Sequence, residues 1–274
     1  MNLPARDCYV VIGNPIAHSK SPSIHAQFAA QTAQDMDYAR LLAPLDGFAA
    51  AVDDFRRQGG LGANVTVPFK LEAHALATRR TARADAAGAV NTLNFRDGDI
   101  LGDNTDGIGL VADIVRNAGV ALAGKRILLL GAGGAARGVI LPLLAGQPAE
   151  LVIANRTRST ADQLARQFAK HGTVRAANFH ELDQPFDIVI NATSASLSSE
   201  LPPIAPGVFD TTTLAYDMMY GAQPTVFMHF AATCGATVRD GLGMLVEQAA
   251  ESFFLWRGIR PDTAPVFILL RAAL

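Results

Sequence analysis

Two neighbouring stretches of this 274-residue chain carry residue types suited to holding a phosphorylated ligand. Gly131-Ala132-Gly133-Gly134-Ala135-Ala136 follows a short apolar run, Arg126–Leu130, and opens an apolar helical segment. Its G-x-G-x-x-A spacing is a dinucleotide fingerprint. Gly131 permits the tight turn, Gly133 lets backbone approach a pyrophosphate, and Ala136 keeps the helix close to the sheet. The free N–H groups at the helix start then face the phosphates. The next apolar run, Glu150–Ala154, ends in Asn155-Arg156-Thr157-Arg158. An NAD site places Asp or Glu there to accept from the ribose 2′-hydroxyl. Guanidinium groups and a hydroxyl instead favour a 2′-phosphate, so this position reads as NADP rather than NAD. Away from a nucleotide, two arginines after a strand are only a solvated loop.

Other candidates stand earlier in the chain. Ser19 and Ser21 flank the start of a helical pattern, where two hydroxyls suit a carboxylate and where Ser21 also reads as a simple N-cap before Pro22. In Asn64-Val65-Thr66-Val67 an extended chain points Asn64 and Thr66 to one face, and the carboxyl end of a buried strand is where open α/β sheets bind ligands. Lys70 follows Pro68 in the first turn of the next helix and, taken alone, reads as a surface lysine. Asp106, taken alone, reads as a charge at a helix N-terminus.

Composition narrows the field. Half the residues are apolar, 18% are charged and the net charge is −2, a globular balance that argues against a nucleic-acid footprint. Cys8 and Cys234 form neither a CxxC pair nor a disulfide framework, which suits a reducing compartment. The six histidines show no ligand spacing, so no metal is expected. No apolar run reaches membrane-spanning length and no h-region opens the chain, so a cytoplasmic protein is expected.

The elements that must position these residues alternate between strand and helix. Strands are read at 8–12, Tyr38–Leu42, 64–67 and Ala89–Phe95, the last turning at Asp97-Gly98 into Asp99–Gly102. Helices are read from Ser21-Pro22 to about Ala33, over Asp46–Gln58 with Phe48, Val52 and Phe55 on one face, and from Asp106-Gly107 to about Ala118. A domain boundary falls near Asp106. Beyond the βαβ unit come strands Phe186–Ile190 and Leu214–Met219 and a short helix from Pro224 to Gly235. A last helix leads from Asp240-Gly241 to Arg257, with Leu242, Leu245, Ala249, Phe253 and Trp256 as its buried stripe and Gln248 off the stripe's centre.

Taken together, these segments closely resemble the shikimate dehydrogenase family. The matching pieces are HSKSPSIH (18–25), NVTVPFK (64–70), AGAVNT (87–92), DNTDG (103–107), GAGGAARG (131–138), NRT (155–157), NATS (191–194), YDMMY (216–220) and DGLGMLVEQA (240–249). They run in family order through nearly the whole chain. The resemblance implies an α/β fold: an N-terminal, mostly parallel α/β substrate domain (1–106), a Rossmann NADP-binding domain (107–240), and C-terminal helices (241–274) that return to the first domain. It implies NADPH-dependent, reversible reduction of 3-dehydroshikimate to shikimate, a step in making aromatic amino acids, with the substrate in the cleft between domains.

By motif, Ser19 and Ser21 would hold the carboxylate, and Asn64, Thr66, Lys70, Asn91, Asp106, Tyr220 and Gln248 would surround the ring hydroxyls. Lys70 and Asp106 would be the catalytic pair: hydride addition turns a ketone oxygen into an alkoxide that needs a proton, and an ammonium both stabilises it and donates. Gly131, Ala132, Gly133, Gly134, Ala135, Asn155, Arg156, Thr157, Arg158, Thr193, Met218 and Gly241 would line the cofactor. The only partner implied is a small-molecule substrate, with monomer and homodimer equally open. Two positions depart from the family: Ala195-Ser196 stands where a glycine is common, and some members place their second arginine beyond Arg158. Quinate/shikimate and aminoshikimate-type relatives remain as alternative readings.

Overall fold

The computed structural model describes residues 6–193, 195 and 200–274. Ser194 and Ser196, which belong to the sequence reading of the loop after Asn191, lie outside the described residues. The chain forms two compact units. One gathers the residues up to Asp106 with Val246–Leu269, the other Gly107–Leu245 with Leu270–Leu274.

The first unit is built on β1 (Asp7–Gly13), β2 (Met36–Leu42), β3 (Gly60–Val65), β4 (Arg79–Arg80), β5 (Thr92–Arg96) and β6 (Asp99–Asp103), in the order β2-β1-β3-β5-β6-β4. β1 pairs parallel with both β2 and β3, whereas β5 runs antiparallel to β3 and to β6, as the Asp97-Gly98 turn demands. Helices α1 (Ser21–Gln31), α2 (Phe48–Arg57), α3 (Lys70–Leu76) and α4 (Ala82–Ala87) connect these strands. Phe48, Val52, Val65, Phe69 and Leu93 meet in one core cluster, which is why the amphipathic face of α2 faces inward.

The second unit starts with α5 (Asp106–Ala112 by hydrogen bonding) and a sheet of β7 (Arg126–Leu130), β8 (Glu150–Ala154), β9 (Val174–Ala177), β10 (Ile188–Asn191), β11 (Leu214–Asp217) and β12 (Thr237–Arg239). All its pairings are parallel, in the order β12-β11-β10-β7-β8-β9. Counted along the chain this is 3-2-1-4-5-6, the doubly wound dinucleotide-binding order. α6 (Gly134–Ala145), α7 (Arg158–Phe168) and α8 (Val226–Thr233) cross between its strands, and α9 (Leu242–Arg257) and α10 (Ala264–Ala272) close the chain. No described helix is long and apolar enough to cross a membrane.

The structure corrects several local readings. Ser21 is not the N-cap of α1: it is the first helical residue, Lys20 is the cap, and the Ser19 hydroxyl accepts from the Ser21 N–H at 3.3 Å, a local turn that starts the helix one residue early. β3 stops at Val65: the Thr66 N–H still bonds Ile12 O of β1 (2.9 Å), but Pro68, two residues on, offers no donor to extend the pairing. The helix after Asp106 is α-helical only to Ala112 and widens into a π-turn over Asp113–Asn117. Asp113 lies in that turn fully buried, its carboxylate gripped by Arg239 (2.8 and 2.6 Å) and the Tyr216 hydroxyl (2.8 Å). Ala89–Val90 precede β5 rather than belong to it, and β11 ends at Asp217, short of Met219.

Candidate active site

In the first unit a buried polar network assembles around Asn91. Backbone bonds set its scaffold: Val90 N–H donates to Lys70 O (2.9 Å) and Asn91 N–H to Asp103 O (3.0 Å), so the turn before β5 joins the start of α3 to the end of β6. The Asn91 amide donates to Asp106 Oδ1 (2.8 Å), Thr105 Oγ1 (2.9 Å) and Gln248 Oε1 (3.3 Å), while its Oδ1 accepts from the Thr105 N–H (2.9 Å) and from Thr92 Oγ1 (2.9 Å). Lys70 Nζ donates to the other Asp106 oxygen at 2.6 Å. Both carboxylate oxygens of Asp106 are therefore claimed, and its orientation is fixed. The lysine is the less enclosed partner, with its side chain 32% exposed against 18% for Asp106.

Asn64 forms the far side of this network. Its amide donates to Ser252 Oγ (2.9 Å) and Thr92 Oγ1 (3.1 Å), and its Oδ1 accepts from the Tyr38 hydroxyl (2.7 Å). Burial pushes the Tyr38 hydroxyl well above its ordinary pKa, opposed by the Ser21 hydroxyl beside it. Ser19 is held by its backbone, whose carbonyl accepts two bonds from the Arg40 guanidinium (3.1 and 2.6 Å). Thr66 owes its placement to Gly13, where an added Cβ would sit 2.6 Å from Thr66 Cγ2. Thus Asn64, Lys70, Asn91, Asp106 and Gln248 are joined by side-chain hydrogen bonds, with Ser19, Ser21 and Thr66 in the same unit. Tyr220 belongs to the second unit, where burial first and Asp240 second raise its pKa.

In the second unit, β7 ends in a glycine turn that fits a pyrophosphate. Gly131 has φ +104°, a backbone few other residues adopt, and its N–H donates to Ala154 O (2.8 Å). A Cβ at Gly133 or Gly134 would meet nothing within 4 Å, so this is open space at the start of α6. No side chain caps that helix, and its first N–H groups remain available to an anion. Ala136 is fully buried beneath the turn, as close helix–sheet packing requires, while Ala132 is buried and Ala135 exposed.

A cavity of about 540 Å³ is lined by Asn155, Arg156, Asn178, Phe179, His180, Pro203, Ile204 and Ala205. The Asn155 amide holds Thr157 O at 3.0 Å, shaping the loop. Arg158 is instead bound by Asp162 (3.1 Å) and Glu181 (2.8 Å). Thr193 turns its N–H and hydroxyl onto Asn191 Oδ1 (3.2 and 2.7 Å). Gly241 packs so tightly on the Met218 carbonyl that any side chain would overlap it, and Gly243 is pressed in the same way against the Asp113 carboxylate. No group of three or more possible metal ligands occurs among the described residues.

Known proteins are similar to this chain in sequence and in fold. The family model described as "Shikimate dehydrogenase substrate binding domain" matches residues 11–93, "Shikimate / quinate 5-dehydrogenase" matches 113–199, and "Shikimate 5'-dehydrogenase C-terminal domain" matches 241–266. The shikimate dehydrogenase (NADP(+)) of Herminiimonas arsenicoxydans is 72% identical over 268 residues, covering 98% of both chains. The chain belongs to the shikimate dehydrogenase family. Among solved structures, an Ael1 enzyme from Pseudomonas putida is 50% identical with a TM-score of 0.93, covering 96% of this chain and 98% of that one. The shikimate 5-dehydrogenase of Thermus thermophilus, solved in complex with NADP(H) and shikimate, is 31% identical with a TM-score of 0.87 over 98% of this chain and all of that one.

Several members of this polar network went unread in the sequence. Thr92, Thr105 and Ser252 are fully buried hydroxyls that complete the Asn64–Asn91 network. Ser252 had a signal: it stands four residues after Gln248 on the same helix, and a serine on a face otherwise apolar asks for a partner. Thr92 and Thr105 look like ordinary strand and turn residues. Tyr38 and Arg40 sit on an edge strand, and nothing local announces what they reach.

Proposed function

We propose that this chain catalyses the reversible, NADPH-dependent reduction of 3-dehydroshikimate to shikimate, as its relatives' names indicate. The observation that carries the mechanism is the Lys70–Asp106 pair, joined at 2.6 Å and braced by Asn91. The first unit's residues take the substrate: Ser19 and Ser21 the carboxylate, and Asn64, Thr66, Asn91 and Gln248 the ring hydroxyls, a role the family motif also gives Tyr220. The glycine turn from Gly131 to Ala135, the loop from Asn155 to Arg158, Thr193, Met218 and Gly241 take the cofactor. The fit is physical: an uncapped helix start, a turn open to an anion, and at the end of β8 an arginine, Arg156, that no carboxylate engages among the described residues.

NADPH, when bound, supplies hydride to the ketone carbon. Lys70 Nζ carries three donors; one is held by Asp106, and the others remain for the carbonyl oxygen, where they offset developing negative charge and deliver the proton. The partly exposed amine this leaves then regains a proton from water. Asp106 keeps the lysine aimed and accepts from the substrate hydroxyl beside it. In the reverse direction the same Nζ, having first lost a proton to water, takes the proton from the alcohol. Cys8 and Cys234 are free thiols, in keeping with a cytoplasmic setting.

The test is NADP⁺ reduction followed at 340 nm with shikimate and quinate in parallel, and NAD⁺ as the second cofactor. A rate confined to shikimate with NADP⁺ is expected. A comparable quinate rate moves the chain to the broader subgroup, and no rate with either substrate overturns the assignment.

A further inference from the structure

The cofactor pocket holds its two arginines in different ways. Arg156 lines the cavity and makes no hydrogen bond or ion pair among the described residues. Arg158 does not line it, being bound by Asp162 and Glu181. Glu181 accepts in turn from the Asn178 N–H (2.8 Å) and side-chain amide (2.9 Å), so the ion pair braces the short turn Phe179–Glu181 against the start of α7. That turn sets His180 on the cavity wall with an exposed imidazole that has no hydrogen-bond partner among the described residues.

Resting on the reading that NADPH binds here, we propose that His180 is a second ligand of the cofactor's 2′-phosphate, on the wall of the same cavity as Arg156. A phosphate monoester carries between one and two negative charges near neutrality and three acceptor oxygens, more than one guanidinium fork satisfies. With Arg158 engaged elsewhere, and the Asn155 and Asn178 amides already donating to Thr157 O and Glu181, the imidazole is the other polar side chain on the wall without a partner among the described residues. Phe179 and Ile204 supply the apolar faces between which a base can lie. The charged groups around His180 are Arg156 and Arg158 from the loop and α7, Asp162 from α7, and Glu181 and Asp183 from its own turn and the residues after it. The segment 203–205 brings none.

The experiment is calorimetric titration of the full chain with 2′,5′-ADP and with 5′-AMP, which differ only in that phosphate. His180→Ala should weaken 2′,5′-ADP about fivefold to tenfold and leave 5′-AMP unchanged, the size expected of one charge-assisted bond. His180→Gln, which retains a donor without the imidazole, should recover part of the 2′,5′-ADP affinity that His180→Ala loses. An equal loss for both ligands would mark His180 as a mere wall, and no loss for either would remove it from the site; each overturns the proposal. Arg156→Ala is the control. Undiminished 2′,5′-ADP binding there would take the phosphate out of this cavity, and His180 with it. Failure of the shikimate assay, with 2′,5′-ADP still preferred over 5′-AMP, would overturn only the substrate reading.

Discussion

The network around Asn91 and the cavity beside Arg156 handle polar groups in opposite ways. In the first, almost every donor meets an acceptor within the protein: Asn91, Asp106, Thr105, Thr92, Asn64 and Ser252 are bonded to one another. In the second, glycines face open space, a helix start is uncapped, and Arg156 and His180 stand without partners among the described residues. The difference follows from what each must do. A proton donor works only if its aim is set before the substrate arrives, so its neighbours are held by the fold. A phosphate brings its own charge and acceptors, and groups already satisfied within the protein would have to give up those bonds to receive it. Preorganisation is stored as bonds in one region and as unused donors in the other.

The largest expected effect tests the tied region. Lys70→Ala should lower kcat by about 10³-fold, within the range for losing a positioned general acid, while NADPH affinity measured by fluorescence stays within about twofold. Turnover within about tenfold of wild type would show that the Lys70–Asp106 pair is structural and that the proton comes from elsewhere. A parallel loss of NADPH affinity would mean that the lysine supports the fold of both regions, and the contrast between them would fail.

Legibility in the sequence divides along the same line. The cofactor turn lies within a single βαβ unit, so its glycines, its strand and its arginines are all local signals; β7 and β8 begin and end at the residues their apolar runs indicate. The tied network was legible only in part. Lys70 and Asp106, taken singly, read as a surface lysine and a helix-end charge, and only the family resemblance paired them. Ser252 reaches Asn64 across 188 positions, and Arg239 reaches Asp113 across 126; such contacts leave no periodicity behind. The π-turn holds Asp113 where it makes that second contact, and nothing in the local sequence foretold it. β9 and β12, with Arg175 and Arg239 interrupting their short apolar runs, carry too little pattern to be read as strands.

A pH test comes next in size. His25 is fully buried, stacked on Tyr38 at 4.1 Å, and neither ring nitrogen has a partner of good geometry among the described residues. Burial lowers its pKa to about 3, with the Asn64 amide opposing only partly. In the unfolded chain the imidazole titrates near 6.5, so between the two values the unfolded state binds the extra proton. Stability is therefore lost as pH falls below about 6.5, at roughly 1.4 kcal/mol per pH unit from this group. Urea denaturation at pH 7 and pH 5 should show wild type losing about 2 kcal/mol more than His25→Phe, which keeps the ring stack. Equal losses would mean that the histidine takes up its proton inside the fold.

The smallest effects are a matched pair, and they sharpen the contrast most directly because both variants end in alanine. Ser252→Ala removes a hydroxyl that accepts from the Asn64 amide at 2.9 Å and donates to Gln248 O at 3.1 Å, leaving buried groups short of a partner. It should cost about 1–2 kcal/mol in urea unfolding and raise KM for shikimate without touching NADP. Arg156→Ala removes an exposed side chain with no partner among the described residues, and should change stability by less than about 0.5 kcal/mol. Its whole effect should fall instead on the ratio of NADP to NAD use. A stability loss at Arg156 equal to that at Ser252 would mean the open region is held together by its arginine even without cofactor. The unused donors there would then be a property of the static picture and not of the protein.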